Sequence, residues 1–337
     1  MSGRRVAIVG ATGAVGRTML SILEERKFDV SELRLFASSR SAGNTVATRW
    51  GDVIVEDLAD ADPSGVDVAL FSAGGTRSKE FAPRFVAADA VVVDNSSAFR
   101  MQVDVPLVVA GVNDDAASGH NGIIANPNCT TMALMMAAGP LHEALGLRSM
   151  VVSSYQSVSG SGKAAVDELM GQVDALRGDV EALMDGSWVD PGSEIYLRPI
   201  AFNTLPFAGN EAELGYTDEE WKLVNESRKI LSIHDLAVEP TCVRVPVAVG
   251  HGISASMRFA SSTTPEAATE ILNNAPGIEV WTDKVPTALD SAGIDDVLAG
   301  RIRGTLGTPG GLNLWVVGDN LRKGAALNAV QIAELLA

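Results

Sequence analysis

Cys129 is the residue whose type and position suggest chemistry most directly, because it ends the segment Asn-Pro-Asn-Cys at 126–129. The pattern predicts a strand over 122–125, a tight turn, and then a helix whose apolar run covers 132–145. At a helix N-terminus, unpaired backbone N–H groups and the positive end of the dipole favour the thiolate, the nucleophilic form of cysteine. The same N–H groups are predicted to stabilise an oxyanion that forms beside the sulfur. A lone cysteine is also commonly a small buried hydrophobe, so the rest of the chain decides between the two interpretations.

His251 and Arg244 are the next residues that could act on a ligand. The histidine is flanked by two glycines and follows an apolar strand predicted over 242–249. An accessible imidazole suits acid–base catalysis near neutral pH, although a histidine in an ordinary turn would have the same neighbours. Arg244 lies inside that strand, where a charge is costly unless it is paired or faces a polar site. Its guanidinium predicts a carboxylate ligand, with an internal salt bridge as the alternative.

A glycine-rich turn after the first predicted strand indicates a nucleotide site. Val6–Val9 is a continuous apolar run of the kind buried in a parallel sheet, and Gly10, Gly13 and Gly16 follow it. Glycines let the backbone approach a pyrophosphate, which the N-terminus of the following helix then binds. The spacing is Gly-x-x-Gly-x-x-Gly, and its position between a strand and an amphipathic helix predicts a dinucleotide site.

The end of the second predicted strand indicates which dinucleotide is bound. Sites selective for NAD place Asp or Glu there to bind the ribose hydroxyls. Residues 37–41 read Ala-Ser-Ser-Arg-Ser, without a carboxylate. Ser39, Arg40 and Ser41 therefore predict a site for the 2′-phosphate of NADP, the alternative being a polar solvated turn.

Composition argues against several classes of partner. The chain has 337 residues, enough for two domains, and 42 acidic against 26 basic residues give a net charge of −16, which is unsuited to nucleic acid. No segment has the ~20 uninterrupted apolar residues that a membrane span requires, and no signal peptide is predicted. With only two cysteines, of which Cys242 is interpreted as structural, a reducing, cytoplasmic setting is expected. The histidines and cysteines lack metal-ligand spacing, so no metal site is predicted.

The order of predicted elements indicates an α/β protein with two domains. Residues 1–130 alternate strands and helices, which predicts a Rossmann-type, doubly wound parallel sheet. Residues 131–317 predict a second, α+β domain whose strands mostly pair antiparallel, and a terminal helix lies within 318–337. The predicted strands cover 33–37, 68–71, 90–93, 107–110, 150–155, 242–249, 253–259, 277–281 and 312–317, and the predicted helices cover 163–183, 218–231 and 325–336.

A set of short motifs extends over nearly the whole chain. They are Gly-Ala-Thr-Gly-x-Val-Gly at 10–16, Ser-Ser-Ala-Phe-Arg at 96–100, Asn-Pro-Asn-Cys at 126–129, Tyr-Gln-x-Val-Ser-Gly at 155–160, Glu-x-x-Lys at 219–222, Cys-x-Arg-Val-Pro and Gly-His within 242–251, and Gly-Asp-Asn-Leu-Arg-Lys-Gly-Ala-Ala at 318–326. The set resembles that of the bacterial aspartate-β-semialdehyde dehydrogenases. The resemblance implies a fold like that of glyceraldehyde-phosphate dehydrogenase. Its second domain would serve catalysis and homodimer formation, and the terminal helix would return to the first domain.

The resemblance also implies an activity, the NADP-dependent reductive dephosphorylation of L-aspartyl-4-phosphate to L-aspartate 4-semialdehyde. Cys129 would form a thioacyl-enzyme and His251 would act as acid and base. The chemistry of the residues agrees, because a thiolate displaces phosphate from an acyl phosphate and a hydride then reduces the thioester. Two separated groups of cations also match a substrate that is anionic at both ends.

Further residues are assigned to ligands by the same resemblance. At one position the chain departs from the family, which often has a small hydroxyl residue where Gly252 follows the histidine. The assignment to the substrate amine could fall on either of two adjacent glutamates, Glu219 or Glu220. Implied for the substrate are Gln156, Glu219 and Arg244, and for its phosphate Arg100, Lys222 and Asn128. Implied for NADP are Gly10, Thr12, Gly13, Ala14, Val15, Ser39, Arg40, Ser41, Ser159, Gly160 and Asn320.

Two other functions are compatible with parts of this pattern. An N-acetyl-glutamyl-phosphate reductase shares the Cys/His chemistry on a similar fold, but its cysteine typically follows a glycine, where this chain has Asn128. A catalytically inactive NADP sensor would have no need to keep Cys129, Arg244 and His251 together. The expected partners are therefore the small-molecule substrate, phosphate and a second copy of the chain.

Overall fold

The computed structural model describes residues 3–336, and the chain divides into two compact units. The predicted class, a Rossmann-type sheet with a second α+β domain, is confirmed by two separate sheets. Unit 1 comprises the chain up to Gly139, residues Asn225–His234 and the segment from Leu321, and unit 2 comprises Pro140–Val224 and Asp235–Asn320.

The first part of the chain alternates between strands and helices, as its apolar runs predict. The buried strands are short and continuously apolar, which is typical of a parallel sheet covered on both faces. In chain order the elements are β1 (Arg4–Val9), α1 (Ala14–Glu25), β2 (Val30–Ala37), β3 (Thr45–Thr48), β4 (Gly51–Asp57), β5 (Val68–Phe71), α2 (Gly75–Ala87), β6 (Val91–Asp94), β7 (Ile123–Ala125) and α3 (Cys129–Leu145).

These strands form one sheet in the order β3-β4-β2-β1-β5-β6-β7, and all neighbours are parallel except β3 and β4. The chain builds outward from β1 to one side and then crosses to the other side at β5. In such sheets ligands bind outside the carboxyl ends of the strands, at the point where the strand order reverses. Val9 and Phe71, which end β1 and β5, are paired in register, so the loops that follow them meet at this point.

The core of unit 1 lies between this sheet and the helices that pack on it. From α1, Met19, Ile22 and Leu23 are fully buried, at the spacing of one helix face. The C-terminal residues 327–333 contribute Val330 and Ile332 to the same cluster. This packing holds the glycine-rich turn between β1 and α1 in place.

Unit 2 contains most of the remaining elements, although residues 225–230 at the end of one of its helices belong to unit 1. Its helices and strands do not alternate regularly, in contrast to those of unit 1. In chain order they are β8 (Leu147–Gln156), α4 (Lys163–Leu176), α5 (Val180–Asp185), α6 (Asp218–Ile230), β9 (Ala237–Arg244), β10 (His251–Phe259), α7 (Pro265–Asn273), β11 (Ile278–Trp281), α8 (Ala288–Ser291), β12 (Val297–Gly304) and β13 (Leu312–Gly318), and α9 (Leu327–Leu335) then follows in unit 1.

The second sheet has the order β11-β12-β13-β10-β8-β9. β10 pairs antiparallel with β13 and β8, and β12 pairs antiparallel with β13. The β8–β9 and β11–β12 pairs, at the two edges of the sheet, are parallel. Three of the five pairs are thus antiparallel, which agrees with the expectation of mostly antiparallel pairing. The parallel β8–β9 pair places Gln156 opposite Arg244, at the ends of their strands.

The strand predicted over 107–110 is not present as a strand. Leu107 makes a single parallel bridge to Ala125. The N–H of Val108 still donates to the Ala125 carbonyl at 3.1 Å, but the two N–H groups after it are bound by side chains, that of Val109 by Asn113 and that of Ala110 by Asn328. Side-chain acceptors therefore replace the ladder that an extra strand would need.

Three other predicted elements end or begin elsewhere. The helix predicted over 163–183 is interrupted after α4, where Gly178 weakens a helix and Asp179 caps α5 by accepting from the N–H of Ala182. The strand predicted over 242–249 begins earlier and ends at Arg244, since Pro246 cannot donate to a ladder. The terminal helix begins with a π-helical turn over 322–326.

Several elements were not predicted at all. β3 and β4 are partly exposed and mix polar with apolar residues, so they lack the continuous apolar run of a buried strand. β12 contains two glycines and two arginines, which are unfavourable signals for a strand. α2 begins in the Gly74-Gly75 turn and contains Pro83, both unfavourable signals for a helix.

The unit boundaries also differ from the predicted domain limits at 130 and 317. The first part of α3 belongs to unit 1, where Gly139 approaches the Val112 side chain so closely that a Cβ would lie 2.5 Å from it. Residues 225–234 belong to unit 1 as well, because Glu226 and Lys229 bond to Arg100 and its loop.

Neither a membrane-spanning helix nor a metal cluster is found in residues 3–336. No helix in that range combines the length and apolarity of a membrane span. Nor does the range contain a group of three His, Cys, Asp or Glu residues placed to hold a metal ion.

Candidate functional site

The turn between β1 and α1 in unit 1 has the geometry of an anion site. Gly10 has a φ of +89°, and a Cβ there would lie 2.2 Å from the carbonyl oxygen of Ser72. A Cβ on Gly16 would lie 2.3 Å from the Gly10 oxygen, so both positions require glycine. The N-cap of α1 is Gly13, which has no side chain to bind the first N–H groups of the helix. Those N–H groups are therefore available to a pyrophosphate.

A cavity of about 170 Å³ opens beside this turn. Thr12 donates from its hydroxyl to Ser41 at 3.3 Å, which joins the turn to the end of β2. Ser39 and Arg40 are exposed just beyond β2, while Ala14 and Val15 open α1. The cavity is lined by Gly10, Thr12, Gly13, Ala37, Ser38, Leu58, Ser72, Ala73 and Arg77.

Arg77 is a lining residue that the sequence analysis missed. It is exposed in the first turn of α2, directly after the Gly74-Gly75 turn that ends β5. That glycine pair follows a buried strand, as Gly10 follows β1, and could have indicated a second ligand-binding turn at the switch point of the sheet. Arg77 is the one cation among the described residues that line this cavity, and Arg40 is not among them.

Cys129 is the first residue of α3 and is half-buried. Asn128 caps the helix, because its side-chain oxygen accepts from the N–H groups of Thr130 at 2.9 Å and Thr131 at 3.3 Å. The N–H of Met132 donates to the Asn128 carbonyl at 2.8 Å. The side chain and backbone of Asn128 therefore already bind the N–H groups of Thr130, Thr131 and Met132, which does not support the predicted use of these three groups for an oxyanion.

Cys242 provides the contrast. It is fully buried in β9, and burial raises the pKa of its thiol to about 12. A thiol with such a pKa is neutral throughout the physiological range and is inert as a nucleophile. The interpretation of Cys242 as structural agrees with its position.

Arg100, assigned to the phosphate, is largely buried in unit 1. Its Nε donates to the Asn126 carbonyl at 2.9 Å and its Nη2 to the Asn95 carbonyl at 3.0 Å. Its Nη1 forms an ion pair with Glu226 at 3.0 Å. A guanidinium has five N–H groups, so these three bonds leave two for a ligand.

In unit 2, Arg244 and Glu219 line one cavity of about 770 Å³. The Arg244 Nη1 donates to the Ser157 carbonyl at 2.8 Å, and its Cζ lies 5.8 Å from the centre of the Tyr196 ring. Its Nε is buried and has no acceptor within residues 3–336. No carboxylate is paired with Arg244 in the described chain, so the alternative of an internal salt bridge is not observed.

The two adjacent glutamates of α6 have different environments. Glu220 accepts from the N–H of Thr217 at 2.8 Å and from that of Cys242 at 2.9 Å. Both of its carboxylate oxygens are therefore hydrogen-bonded to backbone N–H groups. Glu219 lines the cavity and accepts from Lys222 Nζ at 3.1 Å. Burial lowers the pKa of Lys222, but the carboxylates of Glu219 and Asp218 outweigh it and hold that pKa above its ordinary value. Lys222 is therefore a permanent cation.

His251 is the first residue of β10 and is buried, in contrast to the open position predicted from its flanking glycines. Its Nδ1 accepts from the backbone N–H of Ser157 at 3.1 Å. Because a backbone N–H can only donate, the proton of the neutral imidazole is on Nε2. That nitrogen is buried without a partner in the described residues, and a Cβ on Gly160 would lie 3.3 Å from it. A ligand that lies beside Gly160 would therefore be placed to accept a hydrogen bond from Nε2–H.

Three further predicted residues lie around this histidine or on its sheet. Asn320 is buried, and its side-chain oxygen accepts from the hydroxyl of Ser157 at 3.0 Å and from the N–H of Gly250 at 2.9 Å. Its amide donates to the hydroxyl of Ser159 at 2.9 Å. Gln156 donates to Ser154 at 3.1 Å, while its Oε1 is buried without a donor in residues 3–336. Ser157, which joins these groups to His251, was missed by the sequence analysis, since its serine lies in a turn like many others.

Packing explains why Gly252 follows His251, where the family often has a small hydroxyl residue. A Cβ there would lie 2.3 Å from the ring of Trp315, on the neighbouring strand β13. A serine at this position would collide with the indole ring, so glycine and tryptophan occupy the space together.

The environment of His251 predicts a dependence of stability on pH. Burial, and next the charge of Arg244, lower its pKa from 6.5 to about 3, against a smaller opposite effect of the Gly250 backbone. The unfolded chain then binds a proton that the folded chain does not, so stability present above pH 6.5 is lost as the pH falls toward 3.

We expect this pH dependence to be absent in His251→Asn. Urea denaturation at pH 7 and pH 5 should show that the wild type loses about 2 kcal/mol more unfolding free energy than the variant does, since a tenfold difference in proton affinity between the folded and unfolded chain is worth about 1.4 kcal/mol. His234→Asn, at an exposed position, is the control and should lose as much as the wild type. Equal losses in the His251 variant and the wild type would contradict the buried neutral state.

Comparisons with known proteins bear on this arrangement. Residues 5–120 match the family described as semialdehyde dehydrogenase, NAD binding domain, and residues 139–323 match semialdehyde dehydrogenase, dimerisation domain. The chain is 55% identical to an aspartate-semialdehyde dehydrogenase of Streptomyces akiyoshiensis, over 99% of this chain and 98% of that protein.

Solved structures give the same result. The crystal structure of aspartate semialdehyde dehydrogenase II from Vibrio cholerae, complexed with ASA, has a TM-score of 0.94 and 44% identity, covering 100% of this chain and 98% of that one. The enzyme from Candida albicans with NADP has a TM-score of 0.74 and 25% identity, covering 99% and 98%. The predicted family resemblance is thereby confirmed.

Proposed function

Because the chain belongs to the aspartate-semialdehyde dehydrogenase family, we propose that it reduces L-aspartyl-4-phosphate to L-aspartate 4-semialdehyde, with release of phosphate, in amino-acid biosynthesis. The observation that carries this proposal is the near full-length identity to these enzymes. Within the structure, the half-buried Cys129 at the start of α3 supports it, since the reaction needs an accessible thiolate.

The first step is attack by the Cys129 thiolate on the acyl phosphate carbonyl. The C–O bond to phosphate breaks, phosphate leaves, and a thioester remains on the enzyme. The reduced nicotinamide, when bound, supplies a hydride to the thioester carbonyl. The resulting alkoxide collapses, the C–S bond breaks, and the aldehyde leaves with the thiolate regenerated.

We propose that His251 donates a hydrogen bond to the oxygen of the reacting carbonyl group. Its Nδ1 is occupied by the Ser157 N–H, and its low pKa keeps it neutral, so Nε2–H is a hydrogen-bond donor at neutral pH. Such a donor stabilises the alkoxide, which can then expel the thiolate without first taking up a proton. The sequence predicted an acid–base role for His251. We therefore propose a more specific role, in which its Nε2–H donates a hydrogen bond.

The proposed substrate contacts divide by charge. Arg244 would bind the substrate carboxylate, and Glu219, on the same cavity, the substrate amine. Gln156 has a buried oxygen that lacks a donor in the described residues, as expected of a side chain that orients a ligand. For the phosphate we propose the two remaining N–H groups of Arg100 together with Lys222 and Asn128.

A nicotinamide dinucleotide is supported by the NAD binding domain match and by the glycine turn, and NADP in particular is our proposal. The residues present suit it: Gly10, Thr12, Gly13, Ala14 and Val15 would hold the pyrophosphate. The exposed hydroxyls and cation at the end of β2 suit a 2′-phosphate. Ser159, Gly160 and Asn320 would hold the nicotinamide end, and Ser39, Arg40 and Ser41 the adenosine end.

Arg40→Ala tests the choice of dinucleotide. We expect NADP affinity to fall roughly 10- to 150-fold, about 1.5–3 kcal/mol, because one charged hydrogen-bond partner of the phosphate is lost. NAD affinity should change little. Both are measured by titration of the purified protein, with the exposed Arg49→Ala as a control for net charge. Equal loss for both dinucleotides would refute the assignment.

The substrate is tested by phosphate-dependent NADPH formation from aspartate semialdehyde, compared with N-acetyl-glutamate semialdehyde. We expect turnover of the former only, since the cavity offers Glu219 to a charged amine and an acetylated nitrogen has no charge. Faster turnover of the acetylated compound would establish the alternative, an N-acetyl-glutamyl-phosphate reductase.

A homodimer formed through unit 2 is also proposed. The match to a dimerisation domain covers most of that unit, and Val151 and Tyr155 of β8 are 57% and 39% exposed on one face of its sheet. Exposed apolar residues on a sheet face are typical of an interface. A cytoplasmic location is proposed from the cysteine content alone.

A further inference from the structure

Glu226 is a buried carboxylate that the mechanism above does not use. It lies on α6, in the part of that helix that belongs to unit 1, and is 1% exposed. Its Oε2 accepts from the backbone N–H of Asn128 at 2.7 Å, and its Oε1 accepts from Arg100 Nη1 at 3.0 Å. One carboxylate therefore joins the residue directly before Cys129 to the arginine proposed for the phosphate.

The hydrogen bonds of Glu226 to Asn128 and Arg100 are both of a strong kind. They are charge-assisted hydrogen bonds between buried groups, and removal of one partner leaves the other charge uncompensated. Arg100 is 7% exposed, and it also donates to two backbone carbonyls, so Glu226 is the only carboxylate within residues 3–336 that pairs with it.

A second residue of the same helix supports the arrangement. Lys229 donates to the carbonyls of Arg100 at 2.7 Å, Gln102 at 2.6 Å and Val105 at 2.7 Å. Glu226 thus holds the Arg100 guanidinium while Lys229 holds its backbone. The local structure gives the arginine one orientation.

We propose that Glu226 is a positioning residue for both halves of the reaction. Through the Asn128 N–H it sets the start of α3, which carries Cys129, and through Arg100 it directs the two remaining N–H groups toward phosphate. It touches neither substrate nor cofactor in this role. The inference rests on the proposed roles of Cys129 and Arg100.

Glu226→Gln is the test, because it keeps the size of the side chain and removes its charge. Single turnover of aspartate semialdehyde with NADP and no phosphate measures the steps at Cys129, and the phosphate dependence of steady-state turnover gives a KM for phosphate. We expect the single-turnover rate to fall about 10- to 100-fold and the phosphate KM to rise at least about 10-fold, as losses of charged hydrogen bonds do. NADP affinity should be unchanged.

Glu334→Gln is the matched control. Glu334 pairs with Arg26 at 2.7 Å in unit 1, but both side chains are about one-third exposed, and both readouts should equal those of the wild type. If Glu226→Gln lowers only the amplitude of the turnover or the melting temperature, with the rate and phosphate KM intact, the role is merely structural and the proposal is overturned.

A second variant, Glu226→Asp, keeps the test decisive if Glu226→Gln does not fold. Glu226→Asp keeps the charge but is one methylene shorter. Recovery of the single-turnover rate or of the phosphate KM, relative to the values expected for Glu226→Gln, would support the proposal, and a folded Glu226→Asp variant with both readouts as impaired as expected for Glu226→Gln would overturn it. A wild type that forms no NADPH in single turnover would instead defeat the proposed function.

Discussion

Cys129→Ala is expected to abolish turnover while the dinucleotide still binds. Without the sulfur no thioester forms, and loss of a covalent nucleophile costs roughly 10⁴- to 10⁶-fold in kcat. The cofactor turn between β1 and α1 is a separate part of unit 1, so NADP affinity should stay within about twofold, a change near the resolution of a binding titration. NADPH formation from aspartate semialdehyde and phosphate measures the first quantity, and a titration measures the second.

Cys242→Ala is the matched control for this experiment. Cys242 is fully buried, with its pKa raised to about 12 by burial, and we expect its variant to keep turnover within about threefold. Iodoacetamide should label the native protein once, at Cys129. Turnover by the Cys129 variant at even a hundredth of the wild-type rate, or labelling at Cys242 first, would exclude Cys129 as the nucleophile.

Arg244→Lys is expected to lower kcat/KM for aspartate semialdehyde roughly 10²- to 10³-fold, about 3–4 kcal/mol. An ammonium cannot form the two parallel bonds that a guanidinium makes to a carboxylate. It would also weaken the contact of Arg244 with the Ser157 carbonyl, and the N–H of Ser157 holds His251. We therefore expect losses in both KM and kcat, measured by steady-state kinetics over a range of semialdehyde concentrations.

Arg258→Lys provides the comparison for Arg244. Arg258 is a half-buried arginine of β10 in the same unit, and it donates to Ser256 and Met257 rather than lining the cavity. Its variant should have wild-type kinetics. Near-normal turnover by Arg244→Lys would count against a carboxylate contact at this position and would leave the arginine a structural role.

The features that the sequence predicted well are those with local physical causes. Gly16 is required because a Cβ there would lie 2.3 Å from the Gly10 oxygen of the same turn, and the pattern of three glycines is visible in a few residues. α3 begins at Cys129 because Asn128, one residue earlier, caps the following N–H groups. Likewise, apolar runs of four residues sufficed to place β1 and β5.

The errors arose where distant residues decide the structure. Residues 107–110 have the composition of a strand, but Asn328 binds the N–H of Ala110 from more than two hundred residues away. Glycines on both sides of His251 suggested an open site, whereas the packing of the second sheet buries the ring. The NADP contacts, the dimer and the residue roles stay predictions until the experiments above are done.

The family, the fold class and the start of α3 at Cys129 could all be predicted from the residues in order, because short-range hydrogen bonds and apolar periodicity depend on residues that are close together in the chain. The folded chain was needed to see that Glu219 rather than Glu220 faces a cavity, that Nδ1 of His251 accepts a hydrogen bond, and that Glu226 pairs with Arg100 across 126 positions. These contacts form between residues that are distant in the sequence and become neighbours only in the folded chain. A buried charge needs such a partner, but the sequence does not show which residue it will be.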